Sequence, residues 1–193
     1  MMRIITGTAK GKKLVSLEGE ATRPTSERIK EAVFSSIQFD VEGRRVLDLF
    51  AGSGQMGLEA LSRGAERATF IDLSREAMEI VKQNVKITGF ADRCHYLVSD
   101  WRNYIRKASG REQYDLVFVD PPYAMECCAD AANYLAEKSL IIPGAIVVLE
   151  SGEEEIDPAD ARLSGYRVIK STHYGKKTFV NILFYEGRED EEK

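Results

Sequence analysis

The segment Asp48-Leu-Phe-Ala-Gly-Ser-Gly-Gln-Met-Gly57 constrains the fold more than any other part of the 193-residue chain. It connects an apolar run, Val46–Phe50, to a helix predicted from about Gln55. Glycines permit a tight strand-to-helix turn and let a ligand approach the backbone closely. Three glycines complete the G-x-G-x-x-G pattern: Gly52, Gly54 and Gly57. The pattern predicts a parallel α/β sheet with a nucleotide-like ligand at this turn.

Short apolar strands alternate with helices along most of the chain, which is typical of a parallel sheet covered on both faces. The predicted strands are Val46–Phe50, Ala68–Ile71, Tyr96–Val98, Leu116–Val119 and Ala145–Leu149. Two further strands, Tyr166–Thr172 and Thr178–Tyr185, form a predicted antiparallel hairpin at the sheet edge. We therefore expect a doubly wound, mostly parallel, Rossmann-like α/β fold of seven strands.

A small N-terminal extension precedes this sheet. Arg3–Thr6 and Lys12–Leu17 predict a β-hairpin, and Thr25 or Ser26 is the expected cap of a helix that follows Pro24. The predicted organisation is an N-terminal hairpin and helix over 1–43, a main domain over 44–186 and an acidic tail over 187–193.

Composition excludes some classes of protein. No apolar run is long enough to span a bilayer and no apolar signal region follows the start, so a cytoplasmic location is expected. The three cysteines lack C-x-x-C spacing and there are only two histidines, so no metal is expected. The net charge is −4, yet residues 1–13 hold four basic residues and no acid: Arg3, Lys10, Lys12 and Lys13. This basic segment is predicted to contact phosphates.

Three aspartates stand at the carboxyl ends of three successive predicted strands. Asp72 is placed to accept hydrogen bonds from ribose hydroxyls. Asp48, beside the glycines, suits the ammonium group of a methionine moiety better than a pyrophosphate. Asp100 is placed to meet an adenine amino group, and Trp101 to pack on the ring. Together these residues favour S-adenosylmethionine over a dinucleotide.

The turn Asp120-Pro-Pro-Tyr123 follows the fourth predicted strand. Consecutive prolines fix φ and remove two backbone donors, which makes the turn rigid. An exocyclic amine is a poor nucleophile because its lone pair is delocalised into the ring. Hydrogen bonds to the Asp120 carboxylate and the Pro121 carbonyl would localise that lone pair and oppose the positive charge that develops on nitrogen. Tyr123 would stack on the extruded base.

The residues alone leave several alternatives open. The Asp120–Tyr123 turn would equally suit a methyltransferase that acts on the N6 amine of adenine or on a glutamine side-chain amide in a protein. A nicotinamide-dependent oxidoreductase would share the glycine pattern, although Asp48 and the lack of an evident hydride-transfer acid/base pair count against it. A non-catalytic RNA-binding protein could also retain the fold.

The sequence resembles a known group of enzymes. D-L-F-A-G-S-G at 48–54, F-I-D at 70–72 and D-P-P-Y at 120–123 look like the amino-methyltransferases of the class I fold. M-R-I-I-T-G-T-A-K-G-K-K-L at 2–14, T-R-P-T-S-E-R-I-K-E-A-V-F at 22–34 and Y-G-K-K-T-F at 174–179 are similar to the bacterial RsmD family. That family methylates N2 of one guanine in small-subunit (16S) ribosomal RNA. The resemblance covers nearly the whole chain except the acidic tail.

The resemblance implies roles for particular residues. The implied S-adenosylmethionine site, which would release S-adenosylhomocysteine, comprises Asp48, Ala51, Gly52, Ser53, Gly54, Asp72, Leu73, Asp100 and Trp101. The implied catalytic residues are Asp120, Pro121, Pro122 and Tyr123. The implied RNA contacts are Arg3, Lys10, Lys12, Lys13, Arg23, Thr25 and Arg28. The last three match the family's helix start and would border either the RNA or the methionine end of the cofactor. The partner would be 16S ribosomal RNA within a small-subunit assembly particle, bound by a monomer that needs neither membrane nor metal.

Overall fold

The computed structural model describes residues 2–17, 24–152, 157, 159–175 and 177–188, with the backbone alone for residues 24–26 and 123. Arg23, the side chains of Thr25 and Tyr123, and tail residues 189–193 therefore lie outside the described part. The chain divides into two compact units, Met1–Trp101 and Arg102–Lys193. The domain boundaries after 43 and 186 stay predictions.

The first unit contains three parallel strands in the order β3-β2-β1. The strands are β1 (Arg45–Asp48), β2 (Arg67–Asp72) and β3 (Cys94–Val98). The helices are α1 (Pro24–Ser36), α2 (Gln55–Ser62) and α3 (Arg75–Thr88). In register, Asp48 lies opposite Phe70 and Asp72 opposite Val98, so the carboxyl ends of all three strands meet at one edge.

Helix α3 has the bounds that its local sequence predicts, since serine at 74 is a favoured cap residue and glycine at 89 favours the end of a helix. The Ser74 side chain accepts a hydrogen bond from the Ala77 amide at 3.2 Å, and Gly89 ends the helix with φ of 83°. The predicted start of α1 is wrong, because the helix begins at Pro24 and includes Thr25 and Ser26 in its first turn. Proline suits the first helical position, where its missing N–H would have no intrahelical partner.

The N-terminal segment, residues 2–17, folds back on itself as predicted but forms little strand. Its antiparallel pairing is one isolated bridge, between Arg3 and Lys13. The amide of Ile4 donates to the Lys12 carbonyl at 3.0 Å, and the amide of Leu14 donates to the Met2 carbonyl at 2.9 Å. The buried side chains of this segment are Met2, Ile4, Ala9 and Leu14. It is thus a packed part of the first unit, not a protruding arm.

The second unit has the strand order β4-β5-β7-β6. Its strands are β4 (Tyr114–Val119), β5 (Ile141–Ser151), β6 (Tyr166–Tyr174) and β7 (Thr178–Tyr185). Helix α4 (Trp101–Ala108) leads into β4, and α5 (Cys128–Glu137) connects β4 to β5. Strands β4 and β5 are parallel, whereas β7 is antiparallel to both β5 and β6. The predicted C-terminal hairpin is confirmed.

Most strand ends lie one or two residues from their predicted positions, and two strands differ from their predictions in a larger way. Strand β5 begins at Ile141 instead of Ala145, because a register irregularity opposite Tyr114–Leu116 accommodates Pro143 and Gly144. Strand β3 lies at the edge of the sheet, and its residues His95 to Val98 are exposed. The prediction that helices cover both faces of every strand is therefore wrong for β3. Apolar periodicity predicts a strand but does not indicate which strand forms an edge.

Within the described residues there are seven strands and five α-helices, with parallel strands first and antiparallel strands last. This is the predicted methyltransferase-like α/β class. No described helix is long and apolar enough to cross a membrane.

Candidate cofactor and amine-binding site

The turn after β1, residues 51–54, is the glycine loop, and its own hydrogen bonds determine its shape. Gly52 and Gly54 have φ of 52° and 77°, in the left-handed region that favours glycine. The Ala51 amide donates to the Ile71 carbonyl at 2.9 Å, and the Gly54 amide donates back to the Ala51 carbonyl at 2.6 Å. The loop is therefore attached to β2 and preorganised before any ligand binds.

Gly57 is needed for packing. Its φ is not in the left-handed region, but a Cβ there would lie 2.4 Å from Cε1 of Phe70. The absence of a side chain lets α2 approach β2. The third glycine of the pattern thus serves the contact between helix and strand.

Asp72 joins the glycine loop to the start of α3. One carboxylate oxygen accepts from the Gly52 amide at 2.9 Å and the other accepts from the Ser74 amide at 2.8 Å. A carboxylate has about four lone-pair sites, so both oxygens retain capacity for ribose hydroxyls. Leu73, the next residue, is 73% exposed, which leaves its side chain accessible beside this carboxylate.

Asp48 is buried beneath the loop. It is 3% exposed, and its Oδ2 accepts a hydrogen bond from the Gly57 amide at 3.0 Å. This contact gives Asp48 an anchoring role at the start of α2. Its contact with a methionine ammonium group stays a prediction. Ser53 is also buried, so a cofactor would meet its backbone and not its hydroxyl group.

The third strand end carries Asp100 and Trp101. Asp100 is half-buried, two residues beyond the end of β3. Trp101 is buried as the first residue of α4, and its ring centroid lies 6.3 Å from that of Phe50. The structure thus brings Asp48, Asp72 and Asp100 to one sheet edge, as expected; their ligand contacts stay predictions.

The D-P-P-Y turn directly follows the buried strand β4. Asp120 is exposed, Pro121 is buried and Pro122 is exposed. The Met125 amide donates to the Pro122 carbonyl at 2.9 Å and closes a single 3₁₀ turn, Tyr123–Met125. The motif therefore presents the Asp120 carboxylate at the carboxyl end of β4 on a rigid backbone.

Glu150 is a residue that the sequence analysis missed. Val119 pairs with Leu149, so Asp120 and Glu150 come next at the carboxyl ends of adjacent parallel strands. Burial raises the pKa of the Glu150 carboxyl from 4.5 to about 7. The available signal was an acidic residue at the end of the apolar run Ile146–Leu149.

The residues predicted to contact RNA differ in the contacts that they make within the protein. Lys10, Lys13 and Arg28 are exposed. Arg3 is exposed but forms an ion pair with Glu27, with 3.1 Å between Nε and Oε1. Their contact with RNA stays a prediction.

Lys12 differs from its neighbours. Its ammonium group donates to the carbonyls of Ile87 and Thr88, at 2.9 and 3.1 Å, at the end of α3. A cation there offsets the negative end of the helix dipole. Lys12 therefore holds the N-terminal segment on α3, a role that its place in a basic run did not reveal.

Buried polar groups also fasten the N-terminal segment to α1 and α2. Glu59 is fully buried and accepts from the amides of Ile5 and Thr6, at 2.7 and 3.0 Å. Lys30 is equally buried and donates to the Arg3 carbonyl at 2.7 Å, and desolvation lowers its pKa. A polar residue on the buried face of a helix was the signal in each case.

Among the described residues, no group of three His, Cys, Asp or Glu side chains is arranged to hold a metal ion. Cys94 is the first residue of β3, and burial raises the pKa of its thiol to about 12. That thiol is therefore protonated at neutral pH and is a poor nucleophile.

Comparison with known proteins places the chain in a family. The family described as "Conserved hypothetical protein 95" matches residues 2–183. The candidate rRNA methyltransferase YlbH of Bacillus subtilis is 35% identical over 154 residues, which cover 79% of this chain and 84% of that protein. The ribosomal RNA small subunit methyltransferase D of Escherichia coli is 32% identical over 153 residues, covering 79% and 76%.

Solved structures share the fold. The candidate methyltransferase YhhF of Escherichia coli has a TM-score of 0.83 at 28% identity and covers 97% of this chain and 99% of that chain. SMU.776, a candidate methyltransferase in complex with SAH, has a TM-score of 0.68 at 13% identity, with 84% and 50% covered. The second likeness concerns the fold alone.

Proposed function

Since the chain belongs to the "Conserved hypothetical protein 95" family, which includes RsmD-like methyltransferases, we propose that it transfers a methyl group from S-adenosylmethionine to the N2 amine of a guanine in small-subunit ribosomal RNA. The observation that carries this proposal is the exposed Asp120 carboxylate of the D-P-P-Y turn, at the carboxyl end of β4. The reaction class is that of a methyltransferase whose cofactor is S-adenosylmethionine.

The residues around the glycine loop fit this cofactor. The left-handed glycines let a ligand approach the backbone, and Asp72 offers a carboxylate that two amides already orient. Leu73 exposes an apolar surface beside Asp72 for the adenosine. The bound cofactor supplies an electrophilic methyl group on a sulfonium sulfur.

The D-P-P-Y turn holds the acceptor amine. The Asp120 carboxylate and the Pro121 carbonyl accept hydrogen bonds from its two N–H groups, which localises the lone pair on the nitrogen for attack on a methyl group. As the nitrogen–carbon bond forms and the sulfur–carbon bond breaks, positive charge develops on nitrogen. The sulfur–carbon electron pair stays on the sulfur of S-adenosylhomocysteine. The Asp120 carboxylate stabilises the charge on nitrogen, and the surplus proton passes by way of that carboxylate to water.

A ribosomal RNA substrate is supported by the relatives. The Escherichia coli relative is named for the small ribosomal subunit, and the Bacillus subtilis relative is named for rRNA. Lys10, Lys13 and Arg28 provide exposed cations for a phosphate backbone on a chain of net charge −4. Unstacked bases in RNA loops can enter a site without the cost of opening a duplex.

The test is transfer of labelled methyl from S-adenosylmethionine to four separate substrates. These are small ribosomal subunits, naked small-subunit RNA, DNA and total protein, each followed by digestion to nucleosides or amino acids. The D120A variant is the matched control, because it retains the glycine loop and loses the amine acceptor. We expect N2-methylguanosine from small-subunit RNA or subunits, and none with D120A.

Other outcomes would replace the proposal. Label in N6-methyladenosine or in a protein glutamine amide would retain the chemistry and change the substrate. Retention of RNA without any methylated product would favour a non-catalytic RNA-binding protein. Binding of NADH without binding of S-adenosylhomocysteine would favour an oxidoreductase.

A further inference from the structure

Asn84 is a fully buried side chain on α3 that makes three hydrogen bonds. Its Nδ2 donates to the Ser53 carbonyl and to the Val15 carbonyl, both at 2.9 Å. Its Oδ1 accepts from the Val15 amide at 2.8 Å. One amide group therefore connects the glycine loop, the N-terminal segment and α3.

The orientation of this amide follows from its partners. Two of the neighbouring groups are carbonyls and one is an amide N–H, so only one assignment of oxygen and nitrogen satisfies all three. Asn84 also lies on the buried face of α3, between Val81 and Val85. Such a polar side chain is unfavourable in a core unless its hydrogen bonds are made.

Ser53 has a second contact with the N-terminal segment. Its hydroxyl group donates to the sulfur of Met2 at 3.2 Å, and both side chains are buried. Met2 and Val15 lie near opposite ends of the segment. Met2 therefore meets Ser53 directly, whereas Val15 is joined to Ser53 through the side chain of Asn84.

The segment is held elsewhere by an independent anchor that does not involve the loop. The Ser62 hydroxyl on α2 donates to the Thr6 carbonyl at 2.6 Å and accepts from the Ala9 amide at 3.0 Å. Ser62 thus fastens the middle of the segment, whereas Asn84 fastens its end together with Ser53.

We propose that Asn84 is a positioning residue that holds the glycine loop in its cofactor-binding conformation by joining Ser53 to the N-terminal segment. The inference rests on the proposed function, because it takes the glycine loop as the cofactor site. It assigns a role in cofactor affinity to a residue and a segment outside that loop.

The physical reason lies in the flexibility of the loop. Ser53 stands between Gly52 and Gly54, and glycine has the largest conformational freedom of any residue. Without the bond to its carbonyl, Ser53 can leave the bound conformation. A cofactor then binds only the fraction of molecules with the correct loop, which weakens its apparent affinity by that fraction. The rate of methyl transfer in the occupied enzyme is unchanged.

The test compares N84D and N84A with the matched control S62A in the full chain. N84D retains an acceptor for the Val15 amide but loses the donor to Ser53, while N84A loses all three bonds. S62A loosens the same segment without touching the loop. The measurements are the Kd of S-adenosylhomocysteine by calorimetry, KM and kcat for S-adenosylmethionine, and thermal unfolding.

We expect both Asn84 variants to raise the Kd and the KM by about tenfold, with kcat within about threefold of the wild type. S62A should lower the unfolding temperature and leave the Kd within about twofold. If either Asn84 variant folds and binds S-adenosylhomocysteine like the wild type, the inference is overturned. It is also overturned if S62A raises the Kd as much as the Asn84 variants do. If neither folds, N84S decides, since its single hydroxyl group cannot donate to both the Ser53 and the Val15 carbonyls; an unchanged Kd would then overturn the inference. Wild type that fails to bind S-adenosylhomocysteine would instead overturn the proposed function.

Discussion

The backbone amide of Gly52 donates to Oδ2 of Asp72 at 2.9 Å. The same carboxylate accepts from the Ser74 amide through Oδ1. The residue expected to bind ribose is therefore also the link between the glycine loop and α3. Because both roles use one carboxylate, loss of its charge should affect loop structure and cofactor affinity together.

D72N tests this dual role. An amide has one oxygen, so its NH₂ group must face the N–H of either Gly52 or Ser74, and one of the two hydrogen bonds is lost at a net cost of about 0.5–1.5 kcal/mol. We expect the Kd of S-adenosylhomocysteine to rise at least about tenfold and the unfolding temperature to fall. D92N, at an exposed carboxylate, is the control. Wild-type affinity in D72N would contradict a cofactor role for this residue.

G57A tests whether the third glycine serves packing. The added methyl group would lie 2.4 Å from Cε1 of Phe70, an overlap that should destabilise the protein by about 1–3 kcal/mol. F70L removes that atom, so the double variant G57A/F70L should be more stable than the sum of the two single changes implies. Urea unfolding of the three variants and the wild type measures the difference. Strict additivity would show that the ring does not require glycine at this position.

The basic residues of the N-terminal segment should separate into two functions. K10Q/K13Q should weaken RNA binding and reduce the slope of log affinity against log salt by about 1–2, with unchanged stability. K12Q should instead lower the free energy of unfolding by about 0.5–1 kcal/mol, because Lys12 donates to the end of α3. Filter binding across a salt series and urea unfolding make the distinction. An unchanged salt slope in K10Q/K13Q would remove this segment from the RNA site.

D120A should abolish methyl transfer while retaining the cofactor. Loss of a preorganised charge at the amine should reduce kcat at least about 100-fold. The Kd of S-adenosylhomocysteine should stay within a few-fold of wild type, since the glycine loop is untouched. Single-turnover assays and calorimetry measure the two quantities. An active D120A enzyme would refute the amine-binding role.

The Glu150 carboxyl should make stability depend on pH. Its pKa is about 7 in the folded protein, against 4.5 without burial. Between these values the unfolded chain loses this proton first, so the free energy of unfolding falls as the pH rises from 4.5 to about 7. The loss is on the order of 3 kcal/mol, and it is complete above that range. E150Q, which does not titrate, should lack this decline in urea unfolding. Parallel pH profiles for the two proteins would contradict the buried, neutral state.

The sequence predicted features that depend on neighbouring residues. The glycine loop, the cap at Ser74 and the end of α3 at Gly89 have the expected positions, because a turn or a cap is determined within a few residues. The C-terminal hairpin is confirmed for the same reason. The predictions were wrong where two local signals favour different ends. Helix α1 begins at Pro24 although Thr25 and Ser26 are favoured cap residues, and β5 begins before Pro143 although proline is unfavourable inside a strand.

The tertiary structure alone decided what the polar residues of the first unit contact. Lys12 meets the carbonyl of Ile87, 75 residues away, and Asn84 meets the amide of Val15, 69 residues away. Sequence periodicity indicates that Asn84 is buried on its helix, since it lies among apolar residues at helical spacing. It does not specify the partner, because a buried amide is satisfied by whichever backbone the folded chain brings within about 3 Å. The sequence by itself therefore determined the order of strands and helices and which residues stand at the strand ends. Only packing decided that Lys12 contacts the end of α3 and that the Asn84 amide contacts the Ser53 carbonyl.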